Sequence, residues 1–285
     1  MIDDVLRALE TELGPAESAP VPLGGGQTNS IFRVRFGGRE CVVRLPGKDT
    51  ALLGIDRETE RAASLAAAAI GVGPEVLASR PYLVTEFIDA RPVPAEELRT
   101  RLPEVAAMLR AIHAGPALPT EFSPFELTAR YERTARERGG TIPPSYPELR
   151  AAADAIEAVM AGPRVPCHDD LLTANFLDDN GRLRLLDWEY AGMNDLHFDL
   201  ANFASHHDLD PDAEVALLEA YGGGSLARLR LMRLMAAFWE GMWGVVQATC
   251  SGLDIDYLAY AEQHLARVRA RLGDLDVWLE EARAD

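Results

Sequence analysis

Cys167-His168-Asp169-Asp170-Leu171-Leu172-Thr173-Ala174-Asn175-Phe176 places a histidine, two adjacent aspartates and an asparagine within an otherwise apolar run. After the turn Asp178-Asp179-Asn180-Gly181 comes Leu186-Asp187-Trp188, one more aspartate among apolar residues. His168, Asp170 and Asn175 keep the spacing H-x-D-x-x-x-x-N, which serves phosphoryl transfer to a hydroxyl. That chemistry needs an aspartate to accept the hydroxyl proton and a neutral amide oxygen to ligate Mg²⁺ without repelling phosphates. It also needs a second carboxylate, here Asp187, to bridge the metal to the phosphates. A hairpin between Asn175 and Asp187 lets one metal collect ligands from both strands.

Other readings of the stretch fail on spacing. A metalloprotease would carry HExxH on a helix, and an EF-hand would need D-x-[DN]-x-[DN]-G closed by a glutamate; neither occurs. A solvated acidic loop would not need apolar residues on both sides.

Outward from this stretch the chain reads in two halves. Residues 3–13 carry Val5, Leu6, Leu9 and Leu13 at helical spacing, and Gly37-Gly38 joins strand-like runs at 30–36 and 40–45 into a hairpin. Asp56 is placed to cap an Ala-rich helix ending near Gly71 and Gly73, and two more strands follow at 76–77 and 82–87. Beyond residue 95 the pattern is helical, over 95–113, 127–138, 146–160, 213–221, 226–251 and 255–284, interrupted by short strands at 176–177 and 183–186. Strands first and helices later predict an α+β, bilobal fold. It has a small N-terminal antiparallel β-sheet lobe (1–88) and a large, mainly α-helical C-terminal lobe (89–285).

Two features of the first half bear on chemistry. Gly24-Gly25-Gly26-Gln27-Thr28-Asn29 stands directly before the first strand of the hairpin. Consecutive glycines let backbone N–H groups approach a phosphate, although a flexible turn has the same composition. It is not a P-loop, because no lysine follows. Arg44 lies in the apolar strand Cys41-Val42-Val43-Arg44-Leu45, where a charge must be paired or face water. Glu60 on the next helix is its natural partner, and water at a sheet edge is the alternative.

A chain of 285 residues with 48% hydrophobic content can bury a substantial core. Its formal net charge is −17 and Lys48 is its only lysine, so binding to nucleic acid or an anionic membrane is not expected. Cys41, Cys167 and Cys250 are scattered, which argues against a disulfide framework or zinc cluster. With no run of 18 apolar residues and no basic apolar leader, the expectation is a soluble, unprocessed, cytoplasmic protein without integral membrane association. A homodimer is left open.

Taken together, these residues resemble the choline/ethanolamine kinase branch of the aminoglycoside-phosphotransferase-like, protein-kinase-like superfamily. The resemblance covers nearly the whole chain. It rests on the glycine-rich block 24–29, Val43-Arg-Leu-Pro-Gly47, Ile55-Asp-Arg-Glu-Thr-Glu60, Leu109-Arg-Ala-Ile-His113 and Cys167–Asn175. Leu186-Asp-Trp-Glu-Tyr-Ala-Gly192, Phe198-Asp-Leu-Ala-Asn202 and Met242-Trp-Gly-Val-Val-Gln247 complete it. It implies a bilobal protein-kinase-like fold, ATP and Mg²⁺ as cofactors, Asp170 as catalytic base, and Asn175 and Asp187 as metal ligands. Gly25, Gly26, Thr28, Asn29 and Arg44 would contact the nucleotide, with Glu60 orienting Arg44. Residues 86–88 would bind adenine through the backbone at Glu86 and Ile88. His113, His168, Asp199 and Asn202 are read first as structural groups.

The acceptor side is implied by Glu189, Trp243, Tyr257 and Tyr260, with Asp170 at its centre; Trp239 is read as packing. Aromatic faces hold a quaternary ammonium by cation–π attraction. Here the chain departs from the pattern: Glu240 stands where eukaryotic choline kinases have the first tryptophan of WGxW, and His206 replaces an acidic residue. A carboxylate accepts hydrogen bonds that a primary ammonium offers and a trimethylammonium cannot. The expected function is an ATP- and Mg-dependent kinase phosphorylating the hydroxyl of a small amino alcohol, choline, ethanolamine or a relative. An aminoglycoside, sugar or other small-alcohol phosphotransferase is the alternative, and a non-catalytic nucleotide-binding pseudokinase a further one. The intact Asp170, Asn175 and Asp187 speak against the last.

Overall fold

The computed structural model describes residues 2–24, 29–47 and 50–285. Asn29–Phe36 and Arg39–Pro46 pair antiparallel around Gly37 and Gly38, whose φ values of 54° and 75° suit a two-residue turn. Numbered in chain order, Val21–Leu23 is β1, these strands are β2 and β3, Val76–Ala78 is β4 and Leu83–Glu86 is β5. They form one antiparallel sheet in the order β1-β2-β3-β5-β4. Helix α1 (Ile2–Leu13) buries Val5, Leu6 and Leu9 against Val34, Phe36, Val43 and Val84 of this sheet. Helix α2 (Arg57–Ala69) is capped by Asp56, which accepts the Thr59 amide at 2.8 Å. Its Ala63 and Ala67 enter the larger core of the second half rather than that of the sheet.

After Arg91–Pro92 (β6) the chain turns helical. Residues 95–113 are two helices, Ala95–Leu98 (α3) and Leu102–His113 (α4), because Pro103 falls in the first turn of the second and cannot continue the first. Helices α5 (Pro124–Glu137) and α6 (Tyr146–Glu157) follow, then the short strand Val165–Cys167 (β7), the hairpin Phe176–Asp179 (β8) and Arg182–Leu185 (β9), and Gly192–Asn194 (β10). Strand β6 pairs with β8, and β10 with β7. The remaining helices are α7 (Leu196–His206), α8 (Pro211–Tyr221), α9 (Leu226–Cys250), α10 (Tyr257–Arg269) and α11 (Leu275–Ala284). The expected single helix over 255–284 is thus broken, by a 3-10 turn at Leu272–Asp274.

Helix α7 was not expected from the sequence. His197 through Ser205 are all buried, and a helix buried all round carries no amphipathic period to reveal it. Helix α9 is the axis of this half: Leu231 through Gln247 are all buried, with Trp239 packed on Phe122, Phe198 and Tyr190. No helix among the described residues is long and apolar enough to cross a membrane.

Candidate active site

The loop Cys167–Asn175 has little regular structure, so its backbone amides need side-chain partners. Helix α7 supplies them, since Asp199 and Asn202 lie three apart on one face. Asp199 accepts the His168 amide at 2.9 Å and the Asp169 amide at 2.7 Å, and Asn202 Oδ1 accepts the Leu171 amide at 2.6 Å. His113 Nε2 lies 3.1 Å from the same Asp199 carboxylate, and its Nδ1 meets Tyr221 at 2.8 Å. Burial would raise the Asp199 pKa, but His113 and the backbone donors outweigh it and keep it below its ordinary value. All four groups read as structural therefore hold the loop.

His168 Nδ1 accepts the Asp170 amide at 3.2 Å, which places its proton on Nε2, 2.9 Å from the Leu186 carbonyl. Burial pushes its pKa down, so it is a neutral link between the loop and the Asp187 strand end. Asp169 and Asp187 both adopt left-handed backbone, at φ 66° and 64°. Such strain in a non-glycine residue persists only where its surroundings impose it; at Asp169, Asp199 and Asn194 do so.

Asp170, Asn175 and Asp187 meet in one cavity. The Asn175 amide nitrogen donates to the Asp170 carbonyl at 2.9 Å, leaving its amide oxygen as the side chain's remaining ligand atom. Asp170 is 7% exposed, and its pKa is pushed well above the ordinary carboxylate value by burial, then by Glu240, Asp187 and Glu189. Arg44 bonds Glu60 at 2.8 Å and Asp187 at 2.6 Å, joining the sheet half to the helical half. Burial lowers the Arg44 pKa, yet Asp187, Glu60 and Glu189 together raise it.

Sequence reasoning missed a second link between the halves. Asn29 donates to Glu189 at 2.7 Å, and Arg57 bonds both Asn29 and Glu60. Arg57 sits inside the recognised block 55–60, but only the fold shows it facing Glu189, 3.6 Å away.

Two cavities share Asp187. The larger, about 360 Å³, lies between the sheet and the β8–β9 hairpin, walled by Ile31, Val42, Leu177 and Leu186, with Arg44 and Asp187 among its lining. Glu86 and Ile88 also line it. The Glu86 side chain is occupied by the Glu75 amide and Arg184, and its own amide and that of Phe87 by Glu75 and Glu40. Gly25, Gly26 and Thr28 lie outside the described residues. The smaller cavity, about 150 Å³, is bounded by Asp170, Glu189, Tyr190, Glu240, Trp243 and Tyr260. Tyr257 is not in its lining; it packs behind Trp243 with ring centroids 5.8 Å apart. Gly241 and Gly244 bring α10 against α9: a Cβ at Gly244 would come within 2.9 Å of the Tyr257 carbonyl and 3.0 Å of the Tyr260 ring. This close approach delivers the Tyr260 hydroxyl to Glu240.

An antiparallel sheet lobe above a helical lobe, with a cleft between them, is the architecture of the protein-kinase-like phosphotransferases. A family model described as "Phosphotransferase enzyme family" matches residues 20–233. Ethanolamine kinase 2 of Rattus norvegicus is 26% identical over 297 residues, covering 90% of this chain and 77% of that one. Among solved structures, a choline/ethanolamine kinase family protein from Mesorhizobium loti superposes with a TM-score of 0.82 at 28% identity over the full length of both chains. Choline kinase LicA from Streptococcus pneumoniae gives 0.80 at 25%, over 94% of this chain and 99% of that one. The chain belongs to the phosphotransferase enzyme family, in its choline/ethanolamine kinase branch.

Proposed function

We propose that the chain transfers the γ-phosphoryl group of ATP, with magnesium, to the hydroxyl of a small amino alcohol such as choline or ethanolamine. The observation that carries this is the meeting of two cavities at Asp187, one apolar and ending at Arg44, the other lined by carboxylates and aromatic rings around Asp170. The division 1–88 and 89–285 would put the donor cavity between the lobes and the acceptor cavity in the second.

In this reading the apolar walls take the adenine, with the amide of Ile88, which makes no backbone hydrogen bond among the described residues, facing its edge. Arg44, oriented by Glu60, draws the phosphates. Asn175 and Asp187 fit magnesium: one amide oxygen and one carboxylate are hard donors, and this ion prefers few protein ligands beside phosphate and water. When bound, magnesium neutralises charge on the phosphates. Asp170 accepts a hydrogen bond from the acceptor hydroxyl, aims its oxygen at the phosphorus and takes the proton as the bond forms. Glu189, Glu240, Trp243 and Tyr260 hold the cationic end of the acceptor, and Tyr257 supports Trp243. Little covalent chemistry is asked of the protein; its work is position and field.

A panel of acceptors with magnesium–ATP tests the reading. ADP release is expected with choline, ethanolamine or their N-methyl relatives. Inertness of all of these beside turnover of a sugar or an aminoglycoside would overturn it.

A further inference from the structure

Glu240 replaces an aromatic wall with a charge, and the structure shows what that charge does. It is 5% exposed on α9, yet borders the acceptor cavity beside Asp170. Tyr260 donates its hydroxyl proton to Oε2. His206 Nε2 stands 3.1 Å from Oε1 but off the line of a well-formed hydrogen bond, so that oxygen keeps acceptor capacity. A carboxylate has about four lone-pair sites, and the protein engages only part of them. Burial would favour the neutral acid, but His206 first, with the Tyr260 hydroxyl, keeps the Glu240 pKa below its ordinary value. Ligand atoms of Asp170, His206 and Glu240 all lie within 4.8 Å of one another.

We infer that Glu240, braced by His206 and Tyr260, selects acceptors whose ammonium still carries N–H bonds. This rests on the amino-alcohol kinase reading above. The aromatic lining attracts any cation, methylated or not. The buried carboxylate adds charge-assisted hydrogen bonds that only an N–H-bearing ammonium can use, and the loss of the last N–H leaves its lone pairs unmatched.

The test is a series with one hydroxyl and one carbon spacing, in which the nitrogen carries no, one, two or three methyl groups. For the wild type, kcat/KM is expected to fall most at the third methyl, by on the order of ten- to a hundredfold. In Glu240→Gln, which cannot make the charged pair, that step is expected to flatten; in Glu240→Trp it should invert. Retention of the nucleotide-induced rise in melting temperature shows that each variant folds. A wild type that turns over the trimethyl compound as well as or better than the unmethylated one would overturn the inference while leaving the amino-alcohol reading standing. Failure of the whole series would remove both. An unchanged step in Glu240→Gln would assign selectivity to the aromatic lining instead.

Discussion

Asp170 is a buried carboxylate surrounded by carboxylates: burial first, then Glu240, Asp187 and Glu189, raise its pKa. Such a group resists ionisation until a cation arrives, which in the proposed reading the acceptor's ammonium and the metal would supply. Replacing Asp170 by Asn keeps shape and removes the base. Turnover is expected to fall by about 10²–10⁴-fold, while stabilisation by nucleotide in a thermal melt persists. Unchanged turnover would take Asp170 out of its proposed role. Trp243 is more constrained than its sequence position suggests. Its Nε1 donates to the Tyr190 hydroxyl at 2.8 Å, and Tyr257 and Tyr260 pack against it nearly edge-on, so it presents a fixed wall.

At the scale of elements, the loop Cys167–Asn175 depends on helix α7 and the residue that ends it. His207 caps α7, is fully buried, and reaches back to the loop: its Nε2 lies 3.1 Å from the Leu171 carbonyl and its Nδ1 3.3 Å from the Thr173 hydroxyl. Burial, then the neighbouring His206, lowers its pKa to about 4. The unfolded chain, with an ordinary value near 6.5, binds more protons between those two pH values. Stability therefore rises with pH across that window and is lost as pH falls through it, by at most about 3 kcal/mol from this residue. Thermal melts of His207→Gln should show a shallower loss between pH 6.5 and 4.5 than the wild type; parallel curves would show that His207 is not the group responsible.

In the whole molecule, the sheet half and the helical half are joined at the site by charges. Arg44 bridges Glu60 and Asp187, and Asn29 reaches Glu189. A ligand that binds both sides of this cleft stabilises the folded chain by about 2.7 kcal/mol at a hundred times its dissociation constant, which is several degrees in melting temperature. Magnesium with ADP is expected to give such a rise, and chelation of the metal to remove most of it. An equal rise with ADP and chelator would show that Asn175 and Asp187 do not serve a metal. The net charge of −17 accords with a cationic acceptor, and the field is concentrated where four carboxylates, Asp170, Asp187, Glu189 and Glu240, line one small cavity.

Much of this was legible in the chain itself. The intervals from His168 to Asn175 and on to Asp187 are local, set by a loop and one hairpin, and survive as sequence spacing. Asp56 as a cap and Gly37-Gly38 as a turn are equally local. Helix α7 was hidden because complete burial erases periodicity, and the breaks within 95–113 and 255–284 hinge on single turns. The partnership of Arg44 with Asp187 spans 143 residues and that of Asn29 with Glu189 spans 160, separations at which spacing says nothing. The same holds in the smaller cavity. Sequence alone marked Glu240 as a departure and left Tyr257 and Tyr260 equivalent. Only the packing of α10 on Gly241 and Gly244 placed Tyr260 on the carboxylate and Tyr257 behind the tryptophan, because which side chain reaches a cavity is decided by how closely two helices can approach.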